Sequence, residues 1–488
     1  NTRMIGFVLG RILLTEAGLL VLPAITAALY GEILWPWIAS IILTAACGGA
    51  LSSRKPERTA LYAKDGFVAV ALIWFATCLF GALPFWFSGS FPSFVDCVFE
   101  SASGFTTTGA SILTDIEAMP RGVLFWRSFT HWLGGMGVLV LATAVLPSMG
   151  IRSHYLTQAE TPGPVFSKLV PKQSTTSKIL YSIYFGLTAV ETVLLKIAGM
   201  PWYDAVIHAL SSAGTGGFSN RNASVGAYGS VAIDLIITVF ILLFSVNFAV
   251  YFLLLTRKFR DILASDGLRF FLTVVAGATL LIAWNIRGLY SSFAQALRYA
   301  VFQVASIISA TGFATADFTL WPQLSHLILI LIMFCGACAG STGGGLKVTR
   351  VVTLVKAAFM DMRKMIHPNA VVNVRMEGRA LPEKQVRGVQ AYFSVYMLLF
   401  AVSWLLLSLD GFDLISTFTA LAACINNIGP GLGIVGPTGN FGAFSPWAKL
   451  LLSFDMLAGR LELFPMLLLF APSIWRGSHV RRSTLEHL

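Results

Sequence analysis

The feature that most constrains this chain is a series of apolar runs, each long enough to cross a lipid bilayer. A helix needs about 20 apolar residues to span the hydrocarbon core. The 488 residues are 56% hydrophobic and 12% charged, which excludes a water-soluble globule. The runs lack the alternation of barrel strands, so we predict an all-α polytopic membrane protein. They lie at 12–52, 66–88, 128–149, 229–256, 388–409 and 446–475.

The formal net charge of +11 is explained by where the basic residues lie along the chain. Of 34 Lys and Arg residues, 25 fall in six places along the chain. Only Arg121, Arg221, Arg287 and Arg298 lie in the alternate loops, which is the positive-inside pattern. It predicts that both termini are cytoplasmic, and it gives no indication of a nucleic-acid partner. The six places are the N-terminus, 54–64, 152–178, 257–269, 347–387 and the tail from 476.

Four short apolar segments, too short to span a bilayer, interrupt the outside-facing loops. Each ends in a glycine beside Thr, Ser or Asn, at 109, 217, 312 and 429, with spacings of 108, 95 and 117 residues. These spacings allow a helix, a short helix and a second helix in every unit, so we predict a fourfold repeat. The predicted repeats are 61–150, 151–265, 266–365, and 366–488 with the cytoplasmic tail.

The four glycine segments predict one shared site. Non-helical backbone at membrane depth must line a cavity or be buried in protein. Glycine lets the backbone turn without a side chain in the lumen, and backbone carbonyl groups can replace the hydration shell of a cation. The competing interpretation is a small-residue packing motif. Four copies at matched positions favour the cation site.

Six segments resemble the Trk/Ktr/HKT potassium transporter superfamily, and the bacterial Trk branch is the best match. They are 104–111, 125–137, 214–219, 310–317, 340–347 and 426–433. The resemblance implies that 1–60 is an extra N-terminal helix pair. It also implies potassium selectivity, because potassium-selective members carry glycine at all four filter positions.

The resemblance further implies which residues bind the ion and which partners the chain has. The implied partners are a second copy of the chain, a separate cytoplasmic nucleotide-binding regulatory subunit, and membrane lipids of the bacterial cytoplasmic membrane. Potassium is the only implied ion, and no covalently bound cofactor is expected. The implied ion-binding residues are Thr107, Thr108, Gly109, Thr215, Gly216, Gly217, Ala310, Thr311, Gly312, Asn427, Ile428 and Gly429.

A run of glycines, Gly343, Gly344 and Gly345, falls midway through the helix that should follow the third segment. Such a run breaks a helix. A nucleotide P-loop is excluded because Leu346 stands where that motif needs Lys. A packing kink and, by resemblance, an intramembrane gate below the filter both remain open.

Ionisable residues inside the apolar runs are candidates for function. Arg127 is placed to brace a short helix through Glu100, whereas His131 and Glu191 favour packing or hydrogen-bonding roles. We expect Arg460 to point into the pore on the cytoplasmic side of the filter, where the family carries an arginine. An ion pair with another helix is the alternative.

The spans contain no converging nucleophile and base and no paired metal ligands, so an enzyme is not predicted. A secondary carrier would more often show inverted repeats. The remaining alternative is a sodium-permeable or ion-coupled transporter of the same superfamily. The sequence leaves open whether transport is passive and which nucleotide or signal opens the gate.

Overall fold

The structure, a computed structural model, describes residues 2–53, 56, 63–137, 173–369 and 372–472. This part of the chain is mostly helical, and its only strands are β1, Arg375–Met376, and β2, Arg379–Ala380, which pair antiparallel. Within it, six helical stretches are long and apolar enough to cross a membrane, or seven if one bent pair is a single span. The predicted all-α polytopic membrane fold is confirmed.

Three helices at the N-terminus form a hairpin: α1, Thr2–Leu19; α2, Val21–Leu29; and α3, Trp35–Ser52. The backbones of α1 and α3 approach closely where two glycines face each other. A β-carbon on Gly10 would lie 2.6 Å from the carbonyl oxygen of Gly48, and one on Gly48 would lie 2.8 Å from that of Gly10. Small residues therefore permit this contact, as is common between membrane helices.

Four successive units follow, each with a long helix, a short helix, a loop that contains glycine, and a second helix. Unit 1 contains α4, Ala63–Gly81; α5, Leu83–Phe87; α6, Phe94–Phe105; and α7, Arg121–Gly135. Unit 2 contains α8, Gln173–Ile197; α9, Trp202–Ala213; α10, Val231–Ser245; α11, Ala249–Leu255; and α12, Phe259–Leu263. Unit 3 contains α13, Asp266–Ile286; α14, Phe293–Ile308; α15, Gln323–Met333; and α16, Val348–Ile366. Unit 4 contains α17, Glu383–Leu407; α18, Leu414–Ile425; α19, Pro446–Arg460; and α20, Phe464–Leu468.

The repeat boundaries drawn from the sequence stay a prediction. The expected boundary between 150 and 151 and the run 128–149 beyond residue 137 lie outside the described residues. The basic stretch 152–172 and the tail from 473 lie outside them as well.

The short helices α6, α9, α14 and α18 are 12, 12, 16 and 12 residues long, which is too short to cross a bilayer. Three begin at a side-chain cap. Ser93, Ser292 and Asp413 each accept a hydrogen bond from the backbone N–H three residues later. Hydrogen bonds from Ser416 lower the pKa of Asp413 below its ordinary value. The caps fix where these three short helices start, and so where their loops lie.

The run 229–256, expected as one span, is bent by 97° between α10 and α11. The helix does not continue because its last carbonyl groups accept hydrogen bonds from another segment. Cys338 N–H donates to Ser245, and Thr342 N–H donates to Phe244. Asn247 then accepts from the N–H of Ala249 and begins the second helix.

The run 446–475 is also interrupted, because α19 ends at Arg460. Glu462 and Leu463 follow with φ of 62° and 63°, a left-handed conformation that ends a helix. Arg460 is therefore the last helical residue, whereas the sequence placed it in the middle of a continuous run.

Two ion pairs join different units, and in both of them the carboxylate is buried, whereas Lys449 is buried and Arg298 is partly buried. Lys449 of α19 lies 2.6 Å from Asp96 of α6, and Arg298 of α14 lies 2.6 Å from Asp234 of α10. The first joins unit 4 to unit 1, and the second joins unit 2 to unit 3. Loss of one partner would leave a buried charge uncompensated, which typically costs about 3–5 kcal/mol. The pairs therefore hold neighbouring units in fixed relative positions.

Candidate functional site

The loops that follow the four short helices share one backbone conformation. We call residues 106–109, 214–217, 309–312 and 426–429 glycine loops 1 to 4. The second residue of each has a left-handed φ, with 57° at Thr107, 53° at Thr215, 59° at Ala310 and 54° at Asn427. The glycine at the fourth position has φ of 79° in loops 1 and 2, 85° in loop 3 and 96° in loop 4. The four glycine loops therefore share one backbone geometry.

Each loop is bonded back to its own short helix in the same way. In loop 1 the N–H of Thr107 donates to Gly104 at 3.1 Å, and the N–H of Thr108 donates to Ser103 at 2.9 Å. The corresponding N–H groups of loops 2, 3 and 4 make the same two bonds. These bonds satisfy carbonyl groups in the last turn of each helix, as a helix end requires.

The four glycines place the loops around one axis. A β-carbon on Gly429 would lie 2.6 Å from the carbonyl oxygen of Thr108. A β-carbon on each of the other three glycines would lie closer still to a carbonyl oxygen of the next loop. In every case this oxygen belongs to the residue that precedes the glycine of that loop. These approaches are Gly109 to Gly216, Gly217 to Thr311, and Gly312 to Ile428. The contacts run from loop 1 to 2, 3, 4 and back to 1, which is a closed ring.

The side chains that stabilise the ring of glycine loops differ from loop to loop. In loop 1 the hydroxyl groups of Thr106 and Thr108 are 2.8 Å apart, and in loop 3 those of Ser309 and Thr311 are 2.6 Å apart. In loop 4, the side-chain amide of Asn427 donates to the Thr108 hydroxyl at 3.0 Å. This last bond joins loops 4 and 1.

The Gly-rich segment 334–347, which we call the inner loop, packs against two of the glycine loops. A β-carbon on Gly343 would lie 2.9 Å from the Ser309 carbonyl oxygen, and one on Gly345 would lie 2.8 Å from that of Asn426. The N–H of Leu346 donates to the Asn426 side chain at 3.3 Å. The glycines therefore permit contact between the inner loop and the start of loops 3 and 4.

On its other side the inner loop is bonded to the bend between α10 and α11. Besides the bonds from Cys338 and Thr342, the N–H of Phe248 donates to the Gly340 carbonyl at 3.0 Å. The side chain of Lys347 donates to the Gly343 carbonyl within the loop. The sequence missed this attachment, and its only signal was a polar Asn247 inside an apolar run.

The guanidinium group of Arg460 joins three segments. It donates to the carbonyl oxygen of Thr342 in the inner loop at 2.6 Å and to that of Gly135 at the end of α7 at 2.8 Å. It also donates to Gly134 and lies 3.4 Å from the Thr107 hydroxyl of glycine loop 1. These four contacts are to three backbone carbonyl groups and one hydroxyl group.

A second arginine, Arg350, is bonded to the segment that directly follows Arg460. Arg350 of α16 forms an ion pair with Glu462, two residues after Arg460, and its guanidinium carbon lies 4.0 Å from the ring centre of Tyr392. Because α16 begins directly after the inner loop, the pair connects that helix to the end of α19. The sequence did not predict this link.

The predicted brace between Arg127 and Glu100 is present. The two side chains are 2.8 Å apart and almost fully buried, at 1% and 0% exposure. The carboxylate also accepts from the Ser111 hydroxyl at 2.8 Å. The brace therefore connects α6, α7 and the residues that follow glycine loop 1. His131 and Glu191 are fully buried.

Comparison with known proteins gives one consistent family. A family model described as TrkH, cation transport protein, matches residues 37–477. The Trk system potassium uptake protein TrkH of Salmonella typhimurium strain LT2 is 38% identical over 484 residues, covering 97% of this chain and 99% of that protein. Its namesake from Escherichia coli strain K12 is 37% identical over 486 residues, with the same coverage. The crystal structure of the potassium transporter TrkH from Vibrio parahaemolyticus matches with a TM-score of 0.87 at 35% identity, covering 98% of this chain and 100% of that one.

Proposed function

The chain belongs to the TrkH family of cation transport proteins, and from this premise we propose that it takes up potassium through the centre of the four glycine loops. The family is one of cation transporters, not of enzymes. The observation that carries the proposal is the closed ring in which each glycine contacts the carbonyl group of the next loop. A ring of inward carbonyl dipoles replaces the hydration shell of a potassium ion.

The proposed ion ligands are backbone groups of the glycine loops. The C-terminal end of each short helix, which carries a partial negative charge, precedes its loop and favours a cation there. The proposed ligands are Thr107, Thr108, Gly109, Thr215, Gly216, Gly217, Ala310, Thr311, Gly312, Asn427, Ile428 and Gly429. Potassium is the transported substrate at these positions.

We propose that the inner loop and Arg460 form the gate. The inner loop contacts the start of glycine loops 3 and 4, and Arg460 reaches the inner loop and glycine loop 1. A fixed positive charge beside the ion path opposes a cation, so the closed gate combines a steric and an electrostatic barrier. Opening requires the inner loop, with Gly343, Gly344 and Gly345, to move away from the ring.

The protein is an integral membrane protein, and we propose that it lies in the bacterial cytoplasmic membrane with both termini inside. As the membrane subunit of a Trk-type system, it is proposed to form a homodimer that binds a cytoplasmic nucleotide-binding subunit. The end of α16 supports a docking role, because exposed Arg363 and Lys364 lie beside Met365 and Ile366, which are 84% and 72% exposed.

The first prediction concerns selectivity. Gly312→Ser should lower the discrimination between potassium and sodium by about tenfold, because the new β-carbon would collide with the Ile428 carbonyl group, a proposed ion ligand, and change the spacing of the carbonyl ring. The measurement is rubidium uptake into liposomes in the presence of potassium or sodium as competitor. Selectivity is the ratio of the sodium and potassium concentrations that halve the uptake.

Gly411→Ser is the matched control for this substitution. Gly411 has φ of 76°, but a β-carbon there meets nothing within 4 Å. The control should therefore keep the parent selectivity while sharing the backbone strain. An unchanged ratio in Gly312→Ser would rule out the glycine ring as the filter, and a parent that accepts sodium equally would favour the sodium-permeable alternative.

The second prediction concerns the inner loop. Deletion of Gly343 to Gly345 should raise basal rubidium uptake without changing selectivity, because the glycine loops stay intact. Gly344→Ala is a milder variant, since its β-carbon would collide with the Asn427 side chain and push the inner loop away. If both variants are folded by size-exclusion chromatography and uptake does not rise, the break in the helix is a packing kink.

The third prediction concerns the charge at the end of α19. Arg460→Ala should raise potassium flux, because it removes the positive charge and the bonds that hold the inner loop to α7. Arg460→Lys, which keeps the charge but loses the planar fork, should lie between the alanine variant and the parent. Normal folding with slower or equal flux in Arg460→Ala would show that the residue is only a brace.

The fourth prediction concerns the regulatory partner. Reversing the charges of Arg363 and Lys364 to Glu should weaken the nucleotide response of the reconstituted complex while basal uptake persists. The control reverses Arg257 and Lys258, which are exposed and basic in another predicted cytoplasmic segment. Equal effects of the two reversals would indicate contact with lipid headgroups instead of a docked subunit.

A further inference from the structure

Helix α7 lies between the short helix of unit 1 and glycine loop 2, and it reaches both through two side chains one turn apart. Arg127 pairs with Glu100 of α6. His131, four residues later on the same face, hydrogen-bonds the carbonyl oxygen of Gly104, which is also four residues after Glu100. The ion pair and the hydrogen bond together fix the register of α7 against α6.

The hydrogen bond of His131 fixes its ring in one orientation. Nδ1 lies 2.7 Å from the Gly104 carbonyl oxygen and must donate to it, because a carbonyl group only accepts. The ring is fully buried and stacks on Phe218, the residue directly after Gly217, with the ring centres 4.1 Å apart. The ring therefore contacts the residue that follows the filter glycine of unit 2.

The same ring fills the space behind glycine loop 2. A β-carbon on Gly216 would fall on the His131 ring atoms, and one on Gly214 would meet the His131 backbone carbonyl. At the corresponding positions, loops 1 and 3 have hydroxyl pairs, Thr106 with Thr108 and Ser309 with Thr311. Loop 2 has glycine at both positions, so the imidazole ring takes the place of the missing side chains.

Arg127 contacts Phe218 as well. Its guanidinium carbon lies 4.0 Å from the centre of the Phe218 ring, and its Nη1 lies 3.4 Å from the Ser219 carbonyl oxygen. The aromatic ring thus contacts both Arg127 and His131. Cation–π contacts of this kind strengthen when they are shielded from water.

We propose that His131 is a specificity-determining positioning residue, which holds glycine loop 2 at the spacing that potassium requires. The inference rests on the proposed function, since it assigns the selectivity of that same filter. The residue acts through the backbone of Gly216 and through Phe218, without touching the ion. Small displacements of loop 2 would change the fit between the carbonyl ring and the ion, and so the ratio of potassium to sodium.

The test compares full-length variants in liposomes by the same rubidium assay. His131→Phe keeps an aromatic ring of similar size but loses the donor to Gly104. The potassium-to-sodium ratio should therefore fall about fivefold, the factor that corresponds to the typical net free energy of one hydrogen bond. His131→Gln keeps a donor and should retain more of the parent ratio. Phe218→Leu removes the stacking partner and should lower the ratio as well.

His326→Phe is the matched control, because His326 also bonds a backbone carbonyl oxygen, that of Phe318 at 2.8 Å, but lies outside the ring. The parent ratio should persist in this control. The inference would be overturned if His131→Phe and Phe218→Leu fold and keep the potassium-to-sodium ratio of the parent. It would also be overturned if His131→Phe and His326→Phe lowered this ratio equally. A parent protein that does not discriminate between the ions would instead overturn the proposed function.

Discussion

Contact between four glycines and four backbone carbonyl groups is the constraint on which the rest of the structure depends. Lipid offers no hydrogen bonds to exposed backbone, so a non-helical loop at membrane depth must be enclosed by protein or line a water-filled path. Each glycine loop satisfies two of its N–H groups on its own short helix and packs against its neighbour in the ring. No single loop can be moved without opening a gap beside the next one. The inter-unit pairs Lys449–Asp96 and Arg298–Asp234 oppose such gaps from the outside.

The ring repeats in its backbone but not in its side chains. Hydroxyl pairs support loops 1 and 3, the His131 ring supports loop 2, and the Asn427 amide joins loop 4 to loop 1. The inner loop contacts loops 3 and 4, through Ser309, Asn426 and Asn427. In the proposed mechanism, the His131 support of loop 2 and the inner-loop contacts with loops 3 and 4 therefore lie on different glycine loops.

Local sequence was enough to predict the features that recur or that conflict with a helix. The glycines were found because they repeat at matched positions, the break in unit 3 because three glycines adjoin, and the Arg127–Glu100 brace because buried charges need partners. The bend at 246–248 was missed because Val and Phe there look like any apolar run. Its cause lies far away in the chain, in the N–H groups of Cys338 and Thr342, which donate to carbonyl groups at the end of α10. The end of α19 was missed since neither Glu462 nor Leu463 favours a positive φ. The sequence also carries no record of which loops are neighbours, so the cyclic order could come only from the structure.

The surroundings of Arg460 show why unit 1 has glycine where unit 4 has the arginine of the proposed gate. In units 1 and 4 a glycine of the second helix packs on the last carbonyl group of the short helix, Gly134 on Phe105 and Gly459 on Ile425. The next residue is Gly135 in unit 1 and Arg460 in unit 4. A side chain at 135 is excluded, because its β-carbon would lie 2.6 Å from both the Gly214 α-carbon and the Tyr184 hydroxyl. The guanidinium group of unit 4 instead donates to the bare carbonyl of Gly135. In the proposed mechanism, four such arginines would suit an anion path, whereas one guanidinium group held by carbonyl groups can move aside and leave the path open to a cation.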